Sequence, residues 1–200
     1  APPRRDRKEL VAKLATLTQP AQEMELPLAE ARSILLPRVR ERFYHEVIRL
    51  DAIYHGAKEE EFKPMPTRLL NEHLTVEVVI DMPDKVGIVS GEQLKEWGIS
   101  FEEALAVARE NLWKLSTKSF QQLGPGLYLS NAEDTHDASR MFLHDLVWQH
   151  EVKGRHVVIA PNRNVLLVSG SEDGDALAKM IAVAEEVMQQ PRAQTGMAFV

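Results

Sequence analysis

His156-Val157-Val158-Ile159-Ala160-Pro161-Asn162-Arg163-Asn164-Val165-Leu166-Leu167-Val168-Ser169 decides the fold class. Two apolar runs of strand length flank Pro161-Asn162-Arg163-Asn164, and a short Pro/Asn turn between such runs makes a β-hairpin. Both runs are almost continuously apolar, which predicts a central hairpin covered on both faces. A second hairpin is written upstream. Leu74-Thr75-Val76-Glu77-Val78-Val79-Ile80-Asp81 is rich in β-branched residues, Met82-Pro83-Asp84-Lys85 has turn chemistry, and Val86-Gly87-Ile88-Val89 returns antiparallel to it. Leu127-Tyr128-Leu129 adds a short strand after the Leu123-Gly124-Pro125-Gly126 turn. Hairpin connections imply a largely antiparallel sheet, and helical segments lie between the strands. The fold class is therefore α+β, with helices packed on the sheet.

Those helices are signed at their ends. Ser90 with Gln93 forms a capping-box pattern and Gly98 closes the helix that follows. Ser100 with Glu103 opens another, whose Phe101, Ala104, Leu105, Ala108, Leu112 and Leu115 fall on one face. A helix is expected from about Asp137 to His150, with Met141, Leu143, Leu146 and Val147 inward and Asp137 or Thr135 as N-cap. The last helix is expected from about Asp175 to Gln189, carrying Leu177, Met180, Ile181, Ala184 and Met188 inward. Residues 196–200 read as an edge strand or an uncovered tail.

An N-terminal helical portion precedes this domain. Residues 7–17 place Leu10, Leu14 and Leu17 on one side of a short helix. Leu28, Ala31, Leu35, Val39, Phe43, Val47, Leu50 and Tyr54 then recur at three or four residues, as along one face of a long helix. Pro37 falls within that pattern and predicts a kink or a break there. Arg38, Arg42, His45 and Arg49 would share a second stripe, blunted by Glu41 and Glu46, and read as a solvated face. The organisation is thus 1–56 helical, 57–68 a proline-punctuated linker or loop, 69–190 the α+β domain and 191–200 a tail.

Composition bounds the chemistry. The 200 residues carry 44% hydrophobic and 27% charged side chains, ordinary for a globular chain of one large or two small domains. The formal charge of −6 argues against a general nucleic-acid binder. It divides unevenly: residues 1–56 hold 10 basic and 8 acidic residues, and residues 57–200 hold 14 and 22. No cysteine is present, which excludes disulfides, thiolate metal sites and a cysteine nucleophile. No run approaches the ~20 apolar residues of a membrane span, the basic start lacks the apolar core of a signal peptide, and the expected compartment is the cytoplasm.

The motifs of chemistry are absent. No dinucleotide or Walker glycine pattern, nucleophile elbow or i, i+4 histidine pair occurs, so neither cofactor nor metal is expected. Two polar stretches remain as candidate binding residues. One is Asp137, Ser139 and Arg140 at the start of a helix. The other is Asn162 and Arg163 in the hairpin turn, where a guanidinium could hold a carboxylate or phosphate. Both asparagines of that turn, and Asp137 as a cap, also have a purely local reason to be there. The leading expectation is a non-enzymatic binding or regulatory domain recognising a protein partner. The alternative is an enzyme or binder acting on an anionic small molecule, which requires these two stretches to converge.

Several motifs in order resemble a known family. Leu94-Lys95-Glu96-Trp97-Gly98-Ile99-Ser100 leads into Glu102-Glu103 and Ala108-Arg109-Glu110-Asn111-Leu112. Asp137-Ala138-Ser139-Arg140 and Val157-Val158-Ile159-Ala160-Pro161-Asn162-Arg163 follow, the last before Val165-Leu166-Leu167-Val168. Over roughly residues 28–190 this resembles an uncharacterised bacterial family, domain of unknown function 1444. Asn164 stands where the resemblance implies an acidic residue. The resemblance implies a domain assignment and no activity.

Overall fold

The computed structural model describes residues 26–116 and 120–200. The helix expected over residues 7–17 lies outside them. The chain is α+β, with two antiparallel sheets where the sequence suggested one. The first sheet orders β1 (Leu35–Glu41), β3 (Leu74–Asp81) and β2 (Arg68–Leu69), with β4 (Val86–Ile88) also paired to β3. The second orders β5 (Phe120–Gly124), β6 (Leu127–Ser130), β8 (Val165–Gly170), β7 (His156–Asn162) and β9 (Ala198–Phe199). Both predicted hairpins are present, β3–β4 and β7–β8. The β7–β8 pair is central as expected, and Ala198–Phe199 forms the edge strand beside β7.

The layers follow from which residues are apolar on each face. On one side of the first sheet, Val76, Val78 and Ile80 pack against Leu94 of α3 (Gly91–Trp97) and Ala104, Leu105 and Ala108 of α4 (Phe101–Leu115). On one side of the second, Leu127, Val157, Ile159 and Leu167 pack against Ala176, Met180 and Ala184 of α6 (Gly174–Met188). Between the sheets lies a segment made of a 3-10 turn at Ala138–Phe142 and α5 (His144–Trp148). Leu143 and Leu146 meet Leu36 and Val79 of the first sheet, while Ala138 and Val147 meet Ala160, Leu166 and Val168 of the second. The hairpin is therefore covered on both faces, which explains its unbroken apolar character.

Helix ends obey their local chemistry. Ser100 and Glu103 form the full reciprocal capping box, and Ser90 accepts the Gln93 amide. The inward face of α6 is Ala176, Met180, Ala184 and Val187, whereas Ile181 and Met188 point outward, correcting the expected set. At Gly170 the close approach is absolute. A Cβ there would stand 2.2 Å from the Lys153 carbonyl oxygen and 2.6 Å from its nitrogen, and backbone cannot step aside as a flexible side chain can. Gly170→Ala is expected to lower stability by at least ~2 kcal/mol in urea unfolding; an unchanged midpoint would refute that close contact.

The largest correction concerns residues 28–54. The long helix does not form. A single turn of helix α1 (Leu28–Ala31) and a 3-10 turn (Arg32–Ile34) lead into strand β1, and helix resumes only as α2 (Tyr44–Tyr54). Leu35, Pro37 and Val39 recur at two residues, although Leu35 and Val39 also fit the helical set, and pairing along β3 favours the strand. Pro37 is tolerated because β1 is an edge strand. Val39, two residues on, directs its N–H away from β3 to the Ser139 hydroxyl at 3.1 Å. Pro37 shares that outward parity, so its missing N–H costs the ladder nothing.

Candidate functional site

The 137–140 segment and the hairpin tip converge. The Ala138 N–H donates to the Arg163 carbonyl at 3.1 Å, so the two stretches meet where the sheets adjoin. What they do there differs from the expectation. No long helix runs from Asp137, and the Asp137 side chain caps nothing. Its carboxylate instead accepts from the Ser130 hydroxyl at 2.6 Å, from the Ala132 N–H at 2.9 Å and from Arg140 at 3.3 Å. Burial pushes this carboxyl up, against the pull of those donors. Arg140 is fully buried and forks onto Asp134, with 2.9 Å from Nη1 to Oδ1, while its Nε donates to Ser116 Oγ at 3.0 Å. Burial also acts upward on Asp134, but the fork from Arg140 outweighs it and holds that carboxyl below its ordinary value. Asp134 receives two guanidinium bonds and the His136 N–H, whereas Asp137 has a single longer guanidinium bond and the neighbouring Asp134 charge to raise it further.

Ser139 and Asn162 are likewise committed to the fold. Ser139 holds the outer edge of β1 through Val39, and Asn162 Oδ1 accepts the Asn164 N–H at 2.9 Å to set the hairpin turn. Both are buried. Asp137, Ser139, Arg140 and Asn162 thus form the joint between two sheets, bonded to the chain itself, with Asp137 Oδ2 alone among their side-chain atoms buried and without a hydrogen-bond partner among the described residues. The Arg163 side chain stands outside that joint. Its Nε is buried without a hydrogen-bond partner among the described residues. Its guanidinium is pushed down to about 10 by burial and by Arg192, Arg40 and Arg38, with Asp81 pulling the other way.

Of the groups clustered near Arg163, the sequence had marked Arg38 and His45, but as part of a solvated stripe. β1 and β3 pair Arg38 with Glu77 and Arg40 with Thr75, so alternation brings these four side chains to one face of the sheet. Glu77 is fully buried and meets two guanidinium groups and an imidazole: Arg38 Nε at 2.5 Å, His45 Nε2 of α2 at 2.7 Å and Arg40 Nε at 3.5 Å. Burial alone would raise its carboxyl, yet His45, Arg38 and Arg40 together hold it at about 2. Arg40 also lies over the Tyr44 ring, 4.2 Å from its centre. Further along the same face, Asp81 stands 3.3 Å from Nε2 of the buried His136. One signal for this cluster was legible: a lone glutamate inside Val76-Glu77-Val78 must find cations if that strand is buried. The predicted stripe of Arg38, Arg42, His45 and Arg49 dissolves, because Arg38 belongs to a strand and His45 turns in toward Glu77.

Two other surfaces stand out. Phe43, Val47, Leu50 and Tyr54 are 63%, 38%, 52% and 82% exposed, forming an apolar stripe on the solvent side of α2. A cavity of about 460 Å³ lies between α4 and the start of α5, lined by Arg109, Trp113, Leu143 and Asp145 among others. None of the five sequence-predicted site residues lines it. Among the described residues, no three His, Asp or Glu side chains are gathered as metal ligands, and no helix is long and apolar enough to cross a membrane. No protein-family model matches the chain, and no curated protein or solved structure matches it either.

Proposed function

We propose that this chain is a non-enzymatic binding or regulatory domain that recognises a protein partner through α2. The observation that carries the reading is the solvent-facing stripe Phe43, Val47, Leu50 and Tyr54. Spacings of four, three and four residues keep these side chains within a narrow arc of the helix. His45 lies on the opposite side, where its contact with Glu77 fixes α2 to the sheet. The helix is therefore held by one face and offers the other, which is the arrangement of an apolar anchor set for a partner groove or helix. Glu46 and Glu59 flank the stripe, bridged by Arg49 at 2.6 Å to each. That acidic rim suits an apolar partner segment flanked by basic groups.

The enzyme reading has less support. Its two stretches do meet, but four of its five residues are spent inside the joint. The cytoplasm as compartment, and membership of bacterial domain-of-unknown-function family 1444, belong to the same proposal.

The test pairs capture from the native cell with a stripe variant. Leu50→Glu places a charge amid the anchors without touching a buried side chain. A protein retained by the unaltered domain is expected to be lost with Leu50→Glu and kept with Lys179→Gln on the exposed side of α6. Retention undiminished by Leu50→Glu would remove α2 from the interface. A concentration-dependent dimer in sedimentation that Leu50→Glu abolishes would assign the stripe to a second copy instead. A stripe that binds its partner only after deletion of residues 1–25 would assign it to the chain's own start.

A further inference from the structure

The notch where the hairpin tip of the second sheet meets the charged face of the first carries an excess of cations. Arg38, Arg40, Arg163 and Arg192 share one neighbourhood, since Ala193 bridges Asn162 beside the hairpin tip, and the carboxylates that answer them are Glu77, Asp81 and, on Arg40, Glu41. Glu77 is already claimed by Arg38, Arg40 and His45. Asp81 is shared with His136. Arg163 and Arg192 are left facing other guanidinium groups, and the buried Arg163 Nε donates to nothing among the described residues. His136 adds a second buried group of the same kind: its ring is almost wholly covered, and neither nitrogen has a hydrogen-bond partner among the described residues.

Four guanidinium groups meet three carboxylates here, and Arg163 and Arg192 form no ion pair with any of them among the described residues. Two guanidinium groups are thus left without an ion pair, and guanidinium forks match the oxygens of phosphate in pairs. The supporting shell is rigid. Arg38 and Arg40 stand on a strand, the Arg163 carbonyl is pinned by the Ala138 N–H, and the Gln194 side chain ties the C-terminal segment to the Val39 carbonyl at 2.8 Å. The neighbouring Arg192 has a φ of 68°, a left-handed conformation that a non-glycine residue keeps only where its surroundings hold it.

We propose that this notch binds a phosphate-class dianion, with Arg163 and Arg192 as its direct donors and Arg38 and Arg40 setting the field. A free phosphate ester and a phosphorylated side chain of another protein present the same chemistry, so the experiment has an arm for each. Titration of the full chain with inorganic phosphate, followed by amide NMR shifts, is expected to saturate with the largest changes at residues 162–164 and 192–194. Arg163→Gln is expected to weaken binding about tenfold or more, the loss of one charge-assisted pair. Arg192→Gln is expected to act in the same direction. Neither side chain is part of the joint, so both variants should keep the melting temperature of the parent when phosphate is absent.

The second arm compares a phosphoserine peptide with its unphosphorylated form. Tighter binding of the phosphopeptide than of inorganic phosphate assigns a protein-borne group, and equal binding assigns a small ester. Absence of saturable phosphate binding overturns the proposal. So does binding that both variants leave unchanged. Failure here leaves the α2 reading standing, because Leu50 and its neighbours lie on a different face.

Discussion

Arg140→Met is expected to cost about 3–5 kcal/mol of stability, the loss typical of removing one partner from a buried ion pair. Arg140 reaches Asp134, Asp137 and Ser116 at once, and it sits in the segment that separates the two sheets. Without it Asp137 keeps a buried carboxylate whose only strong donors are Ser130 and Ala132. Two left-handed residues also depend on this anchor, since Glu133 and Thr135 flank Asp134 with φ of 59° and 67°. Their strain persists only while surrounding bonds hold the loop. Arg140→Lys keeps the charge but not the fork, so it should fall between Met and the parent. Urea unfolding decides the matter. A Met variant within ~1 kcal/mol of the parent would show that the network is not what holds the sheets together.

Glu77→Gln is expected to be of the same order, again about 3–5 kcal/mol. Its amide would leave Arg38, Arg40 and His45 crowded on a buried face with no counter-charge. The same residue sets a pH dependence whose sign follows from its direction. Glu77 titrates at about 2 in the folded chain, against an ordinary value of 4.5. The folded state therefore favours the charged form. The stabilisation is complete above about pH 5, declines as pH falls through the window between those values, and is gone below about pH 2, amounting to roughly 3 kcal/mol. Asp137, whose carboxyl is pushed up, works in reverse and loses its smaller contribution as pH rises. Stability measured from pH 6 down to pH 2 should fall more steeply for the parent than for Glu77→Gln. Parallel curves would mean that Glu77 is not held by its cations.

Much of the architecture was legible residue by residue. The β7–β8 hairpin, the β3–β4 hairpin, the Ser100–Glu103 capping box and the start of α6 each rest on chemistry within a few residues. The stretch 28–54 shows where that stops. Its apolar residues satisfy a helical spacing throughout, yet residues 35–41 are a strand because β3, itself buried, offers seven pairing positions on one edge. Local spacing cannot weigh that offer, since the partner lies some forty residues away. The same fact reverses the meaning of the helical pattern. Its first half became core, and Phe43, Val47, Leu50 and Tyr54 became an exposed face.

The candidate sites divide the same way. Composition alone removed thiol chemistry, because the chain has no cysteine. The two polar stretches were recognisable as special, and they do meet. Packing decided what they became. Burial between two sheets turned Asp137, Ser139, Arg140 and Asn162 into a bonded joint, and the cross-strand register placed Arg38 and Arg40 beside Arg163. Charge surplus at a point in space is a property of that register and of chain returns more than a hundred residues apart. Residue order along the chain does not encode it in any local pattern.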